Sequence, residues 1–282
     1  MAVKNFVPTI WSAQILQQFR EAHVLANLCN RNYEGEIKDY GDTVKINSIG
    51  DITISDYTKD SSTITPQKLI SAQTLLLIDT AKSFSFEIDD IDQAQVNADV
   101  MAEAMRLAGW GLSETLDTAV GALYSQADST VTDAGFQSGG VALDTIAQAA
   151  QALNVNNVPS AGRWLVLPPW AITKLILTKI LDSRGLDSND TFANGMVGRV
   201  MGFDVYMSNN LTQTGTDPDY TTYGMAGTRE AITLAEQIVK VEAFRPETSF
   251  HDAVKGLHVY GMKVVKPKAL VQLALTYEAE TS

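Results

Sequence analysis

The sequence predicts a mixed α+β fold, and three observations carry that prediction. From Asp89 to about Gln126, Ile91, Ala94, Ala98, Met101, Met105, Ala108, Leu112, Leu116, Ala119 and Leu123 recur at steps of three and four, the stripe of an amphipathic α-helix. Alternation with period two, the signature of strands, recurs in segments far apart in the chain, around Val44, Ile52, Val205 and His258. A hydrophobic content of 45% over 282 residues is enough to bury a sizeable core.

The long helix is the element around which the rest is expected to pack. At about 1.5 Å per residue it would run roughly 55 Å, beyond the three or four turns usual in globular domains. Asp89, Asp90 and Asp92 supply a cap and negative charge to its first turn. Gly109 and Gly111 flank Trp110 and read as helix packing, with either a bend or close crossing in one helix or a break into two shorter ones.

Ahead of it, Val7 to Asn30 suggests a short amphipathic helix with Ile10, Ile15, Leu16 and Phe19 on one side, packed on its own core or on a neighbouring subunit. Tyr33 to Phe86 reads as a long β-ribbon. Val44 and Ile46 alternate with polar residues, Gly50-Asp51 marks a turn, Ile52 and Ile54 alternate again, and a polar stretch precedes the apolar run Leu75–Ile78. An isolated ribbon of this kind is marginal in water, so it needs a partner surface.

Behind the long helix, Asp128 to Gly140 is expected to be a polar break, followed by a helix from Leu143 to Leu153. Gly162–Leu167 reads as a buried strand stopped by Pro168-Pro169, which admit a helix from Trp170 to Leu181. Met196–Leu211 contains a strand around Val205 and Met207, Thr212–Tyr220 reads as an exposed loop, and strand-like segments follow at Gly224–Leu234, Ile238–Phe244 and His258–Val265.

Composition excludes several functions. Twenty-one Lys and Arg against 33 Asp and Glu leave a net charge of −12, the wrong sign for holding nucleic acid through its phosphates. Cys29 is the single cysteine, and His23, His251 and His258 are too scattered to suggest a zinc site. The densest apolar run is far too short to span a bilayer and the N-terminus lacks a signal-peptide core, so a soluble cytoplasmic product without membrane contact is expected. No phosphate-binding glycine loop and no GxSxG elbow is present. Cys29 beside His23 reads as core, the three aspartates as a cap, and Arg163, Arg199, Arg229 and Arg245 as solvated or locally paired. No catalytic, cofactor-binding or metal-binding residue is assigned. Such a chain looks like an assembly part.

Five segments in order, FVPTIWSAQIL, YEGEIKDYGDTVKI, RWLVLPPWAITKL, GRVMGFDVYMSNNL and VYGMKVVKPKAL, resemble the tailed-phage major capsid proteins with the HK97-like fold, nearest to the coat-protein-like branch. The resemblance spans nearly the whole chain. It implies an N-terminal arm (1–32), an extended loop (33–82), a peripheral domain with the long spine helix (83–130 and 244–266) and an axial α+β domain (131–243 and 267–282). It further implies a homo-oligomer of hexamers and pentamers closing an icosahedral shell around double-stranded DNA in the virion, assembled in the host bacterial cytoplasm. A separate scaffolding protein, a portal and a cement protein are the implied partners, and no cofactor is expected. Lys45, Lys59 and Lys68 lie in the loop, but no crosslinking motif surrounds them. The residues expected at subunit interfaces are Phe6, Ile10 and Trp11 in the arm and Val44, Ile46, Ile52, Ile54 and Tyr57 in the loop. Two alternatives stay open: an encapsulin-like compartment enclosing protein cargo, and a soluble α+β enzyme whose site forms from distant residues such as Asp144, His251 and His258.

Overall fold

The computed structural model describes residues 23–33, 41, 43–49, 54, 71–89, 99–132, 139–178, 196–216, 219–244 and 251–277. Among them the strands form three separate sheets. Strands β1 (Thr43–Ile49) and β2 (Ser71–Leu77) pair antiparallel as a ribbon. Three longer strands, β3 (Thr80–Asp89), β10 (Ile232–Phe244) and β11 (His251–Val264), form an antiparallel sheet with β11 in the middle. The third sheet is mixed, in the order β4 (Ser129–Thr132), β12 (Leu270–Tyr277), β9 (Asp219–Thr228), β5 (Arg163–Leu167), β7 (Phe203–Met207) and β6 (Met196–Val200), with β8 (Gln213–Thr216) on the first half of β9.

Helix α1 (Asp99–Gly121) runs unbroken through Gly109 and Gly111 and tightens into a 3₁₀ turn, Ala122–Gln126, before β4. Its expected start is corrected: Asp89 closes strand β3, so it is no helix cap, while Asp90 and Asp92 lie outside the described residues. The apolar stripe that predicted the helix is buried at Met105, Leu112, Leu116 and Leu123, each 8% exposed or less. Trp110, expected to pack, points to solvent at 60% exposure, because it falls off that stripe.

The large sheet is covered on both faces. Helices α2 (Gly139–Val155) and α3 (Pro169–Leu177) cover one, with Ala142, Ile146, Ala149, Leu153, Ile172 and Leu175 packed on Leu165, Leu167, Phe203 and Leu273. The C-terminal half of α1 covers the other, against Trp164, Val166, Met225 and Leu270. Alternate residues of β5 thus enter two different cores, which is why RWLVL reads as one continuous apolar run. Pro168 in extended conformation and Pro169 at the first turn start α3, which ends at Leu177 with Thr178 in a turn, short of the expected Leu181.

Other expectations are corrected by pairing. The partner of β1 is Ser71–Leu77, with Thr43 opposite Leu77, and Ile54 lies outside any strand. The supposed polar break contains β4, and Gly139 already begins α2. Gln213–Thr216, read as loop, forms a hairpin with β9. The run Gly224–Leu234 is interrupted by a turn at Arg229–Ala231, so its two ends belong to different sheets. Strand β12 was not foreseen, although Leu270, Val271, Leu273 and Leu275 are fully buried. Arg163 is also not solvated: it is 4% exposed and donates to Asn154 Oδ1 at 2.8 Å and to the carbonyls of Pro159 and Val158. Arg199 forms the expected local pair, with Asp204, and Arg245 lies outside the described residues.

Close backbone approach in α1 falls at Gly121, not at Gly111. A Cβ on Gly111 would meet nothing within 4 Å, whereas one on Gly121 would sit 2.5 Å from the Asn210 carbonyl oxygen. Gly111→Ala is therefore expected to raise stability by up to about 1 kcal/mol through helix propensity. Gly121→Ala is expected to lower it by about 1–3 kcal/mol because overpacking against backbone outweighs that gain. Urea unfolding of the two variants checks both signs.

Candidate assembly surfaces

Three regions are built in a way that bears on assembly: the ribbon, the root of the N-terminal segment, and the solvent face of α1. The ribbon is two-sided. Val44, Ile46, Leu76 and Ile78 face inward and form a small core with Ala235 and Val259 of the three-stranded sheet. Gly261 on β11 makes this seat possible, since a Cβ there would lie 2.3 Å from the Leu77 carbonyl oxygen. Lys263 Nζ donates to the Leu75 carbonyl at 3.0 Å, and the Gly41 amide donates to the Ile78 carbonyl at 2.8 Å. The ribbon is thus fixed at its base by its own chain. Leu75 and Leu77 point the other way and are 49% and 50% exposed, and Ile54, beyond the end of β1, is 94% exposed.

Of the interface residues expected from sequence, Val44 and Ile46 are covered by this chain itself at 2% and 5% exposure. Ile54 is open to a neighbour. Phe6, Ile10, Trp11, Ile52 and Tyr57 lie outside the described residues, as do Lys59 and Lys68 of the loop. Leu75 and Leu77 were missed as surface candidates because an apolar run by itself does not say which alternate residues a second layer covers.

The segment from His23 to Arg31 is the root of the N-terminal segment. Of the helix read over Val7–Asn30, the part before His23 lies outside the described residues, and the part within them holds only a 3₁₀ turn, Ala26–Leu28. Leu25, Ala26 and Cys29 are buried in the main core with Leu116 and Val120 of α1. The buried Asp117 carboxylate on α1 accepts the amides of Val24 at 2.8 Å, Leu25 at 3.3 Å and Ala26 at 2.9 Å. Ser113 Oγ, one turn earlier, is hydrogen-bonded to His23 Nδ1 at 2.9 Å. A buried carboxylate needs such partners to stay in place. The Asn30 amide donates to the Ile232 carbonyl at 2.8 Å, the Leu234 amide donates to the Asn30 carbonyl at 3.0 Å, and Arg229 Nε donates to the Cys29 carbonyl at 3.2 Å. Sequence reading missed Asp117, which looks like one more polar residue on a helix.

Glu236 on β10 sits between the root and β11. Arg31 pairs with its Oε1, and His258 Nε2 lies 3.3 Å from its Oε2. Burial, and then the positive charges of His23 and Arg31, hold the His258 imidazole down to about 4. Burial, helped by the charge of Asp117, pushes the Cys29 thiol up to about 12, so it stays protonated and unreactive near neutrality.

The residues of the supposed enzyme site are not brought together. Asp144 is exposed on α2 and accepts from Gln148, whereas His258 is buried in the three-stranded sheet. Of His251 only the backbone, paired with Asp89, is described. On the outer face of α1, Leu107 and Trp110 are 53% and 60% exposed. Trp110 edges a cleft of about 260 Å³ lined also by Val24, Glu114, Pro169, Met207 and Asn209.

The sequence matches the phage capsid protein family over residues 73–273. A solved structure from Mycobacterium phage Che8 is 30% identical, with 89% of this chain and 90% of that chain covered and a TM-score of 0.70. The capsid of cyanophage P-SCSP1u is 18% identical, with 93% and 88% covered and a TM-score of 0.68. A virus-like particle from Pyrococcus furiosus is 12% identical, with 93% and 96% covered and a TM-score of 0.61, a likeness of fold alone. No match is found among curated proteins.

The His258 environment predicts an acid-linked loss of stability. In the unfolded chain the imidazole takes up its proton near pH 6.5, in the folded chain only near 4. As pH falls through that window the unfolded state binds the proton and the folded state does not, so stability drops across it and the loss is complete below about 4. His258→Gln is expected to flatten the slope of urea midpoint against pH between 6.5 and 4; an unchanged slope would assign the loss to other groups.

Proposed function

We propose, on the premise that the chain belongs to the phage capsid protein family, that it is the repeating subunit of an icosahedral shell, assembled from hexamers and pentamers around double-stranded DNA. It is a major capsid protein and a component of the virion. Its fold is HK97-like, with capsid structures as neighbours along nearly the whole chain. Copies of such a subunit join in a multimeric shell, and the role is structural, with no reaction assigned to any residue.

The observation that carries the assembly reading is the apolar surface the ribbon leaves in water. Leu75 and Leu77 are about half exposed on an element whose other face is already covered by its own chain, and Ile54, beyond the end of β1, is 94% exposed. A side chain of this size gains about 1.5–3 kcal/mol when it goes from full exposure to full burial, and a neighbouring copy would supply the cover. One patch docking onto a different patch of the next copy is a heterologous contact, which closes rings where the rotation permits.

In this reading the arm is 1–32 and the extended loop 33–82. The peripheral part holds α1 with β3 and β11, and by pairing it takes in β10 as well. The axial part holds the seven-stranded sheet with α2 and α3. A scaffolding protein acting in trans, a portal and a cement protein remain proposed partners, and the host cytoplasm the proposed place of assembly. The net charge of −12 suits a wall that must not adhere to packed DNA. A compartment for protein cargo is less well supported, because the 30% identical structure comes from a phage, whereas the virus-like particle shares only the fold at 12% identity.

The test is co-expression with the neighbouring genes of its source followed by negative-stain electron microscopy, which is expected to show shells. Ile54→Asp is expected to leave a soluble subunit with an unchanged circular dichroism spectrum and to abolish or sharply reduce shells. A misfolded subunit would place Ile54 in the chain's own core, and normal shells would remove Ile54 from the interface.

A further inference from the structure

We infer that Asp117 is a positioning residue for assembly: from the middle of the long helix it fixes the point and direction in which the N-terminal arm leaves the subunit. The inference rests on the shell reading above.

The root is held from three elements at once. On α1, Asp117 takes three consecutive amides, Val24 to Ala26, across more than ninety residues of sequence, and Ser113 takes His23. On β10, the Asn30 amide and carbonyl are both used in an isolated parallel bridge to Thr233. From the turn between β9 and β10, Arg229 holds the Cys29 carbonyl, and at the far end Arg31 is paired with Glu236. Between these polar ties, Leu25, Ala26 and Cys29 fill the core at 1%, 0% and 1% exposure.

Apolar burial alone does not select a direction, because a short turn with three greasy side chains can rock in its pocket. Three N–H groups converging on one carboxylate do select it, since charge-assisted hydrogen bonds are directional and about twice as strong as neutral ones. Asp117 is itself 1% exposed and sits on a helix built into the core, so it cannot follow a moving arm. Val24 itself lines the cleft shared by α1, Pro169 at the start of α3 and Asn209 of the loop after β7. A segment presented from a fixed exit loses less conformational freedom when it meets its neighbour than one tethered to a rocking root. Removing the carboxylate would therefore leave the fold but spread the exit directions, and a shell needs the same direction in every copy.

Asp117→Asn keeps the size of the side chain and removes its charge. Amide exchange on the purified full chain before assembly is expected to show protection at Val24, Leu25 and Ala26 falling by about tenfold or more, with protection in Leu270–Tyr277 unchanged. The same variant is expected to give fewer and irregular shells, and deleting residues 1–22 in its background is expected to cost little beyond the single change, because both alter one function. Unchanged protection at the three amides, or shells as abundant and regular as those of the parent chain, would overturn the inference. Should Asp117→Asn unfold the subunit, Ser113→Ala tests the same tie through His23: local loss of protection with impaired shells supports the role, and local loss with normal shells ends it. If the parent chain itself forms no shells, the capsid reading fails, while the amide comparison still decides whether Asp117 holds the root.

Discussion

The structure depends on one packing constraint: two sheets with no strand pairing between them among the described residues are joined through the side chains around α1. Met105 in the first half of the helix lies on Val254 of the three-stranded sheet. Leu112, Leu116, Val120 and Leu123 in the second half meet Trp164, Val166 and Met225 of the large sheet together with Ile232, Leu234 and Tyr260 of the smaller one. A fully buried side chain of this kind contributes about 2 kcal/mol, so the junction is strong only because many such contacts act together. An unbroken helix is what lets one element reach both partners. Gly111 lies where space is open, and Gly121 is required where the loop at Asn210 comes close.

The same junction explains the polar group at its centre. Asp117 is expensive to bury, and its position is maintained because three amides of another segment point at it. His23 lies beside it, and Glu236 pairs with both Arg31 and His258, so polar pairs tie the His23–Arg31 segment to the helix and to the β10–β11 pair. Such clusters specify a geometry more than they add stability, because a single missing partner leaves a desolvated charge. The neutral state of His258 follows from this crowding. Burial leaves a positive charge on the imidazole no water to relieve it, and the nearby Arg31 guanidinium opposes that charge further.

The ribbon shows how a subunit can be complete and unfinished at once. One face is sealed on the three-stranded sheet through Val44, Ile46, Leu76 and Ile78, which gives the element a fixed root. The other carries Leu75 and Leu77 into solvent, as does the residue Ile54 beyond it. An element anchored in this way can present an apolar edge without collapsing onto its own chain, and the proposed shell would use that edge as a contact.

The sequence by itself determined the elements whose signal is local. The step of three and four from Met101 to Leu123 marked α1, the run RWLVL marked β5, the proline pair marked the start of α3, and the order of five motifs marked the family. Tertiary structure alone decided which partner each strand takes, because pairing is a contact between distant residues: β1 joins Ser71–Leu77 rather than the nearer Ile52 and Ile54, and β9 and β10 part into different sheets at a three-residue turn. It also decided which polar residues matter. Arg163 and Asp117 look like surface residues until the carbonyls and amides that surround them are in place, and those donors and acceptors are backbone groups that no side-chain pattern records.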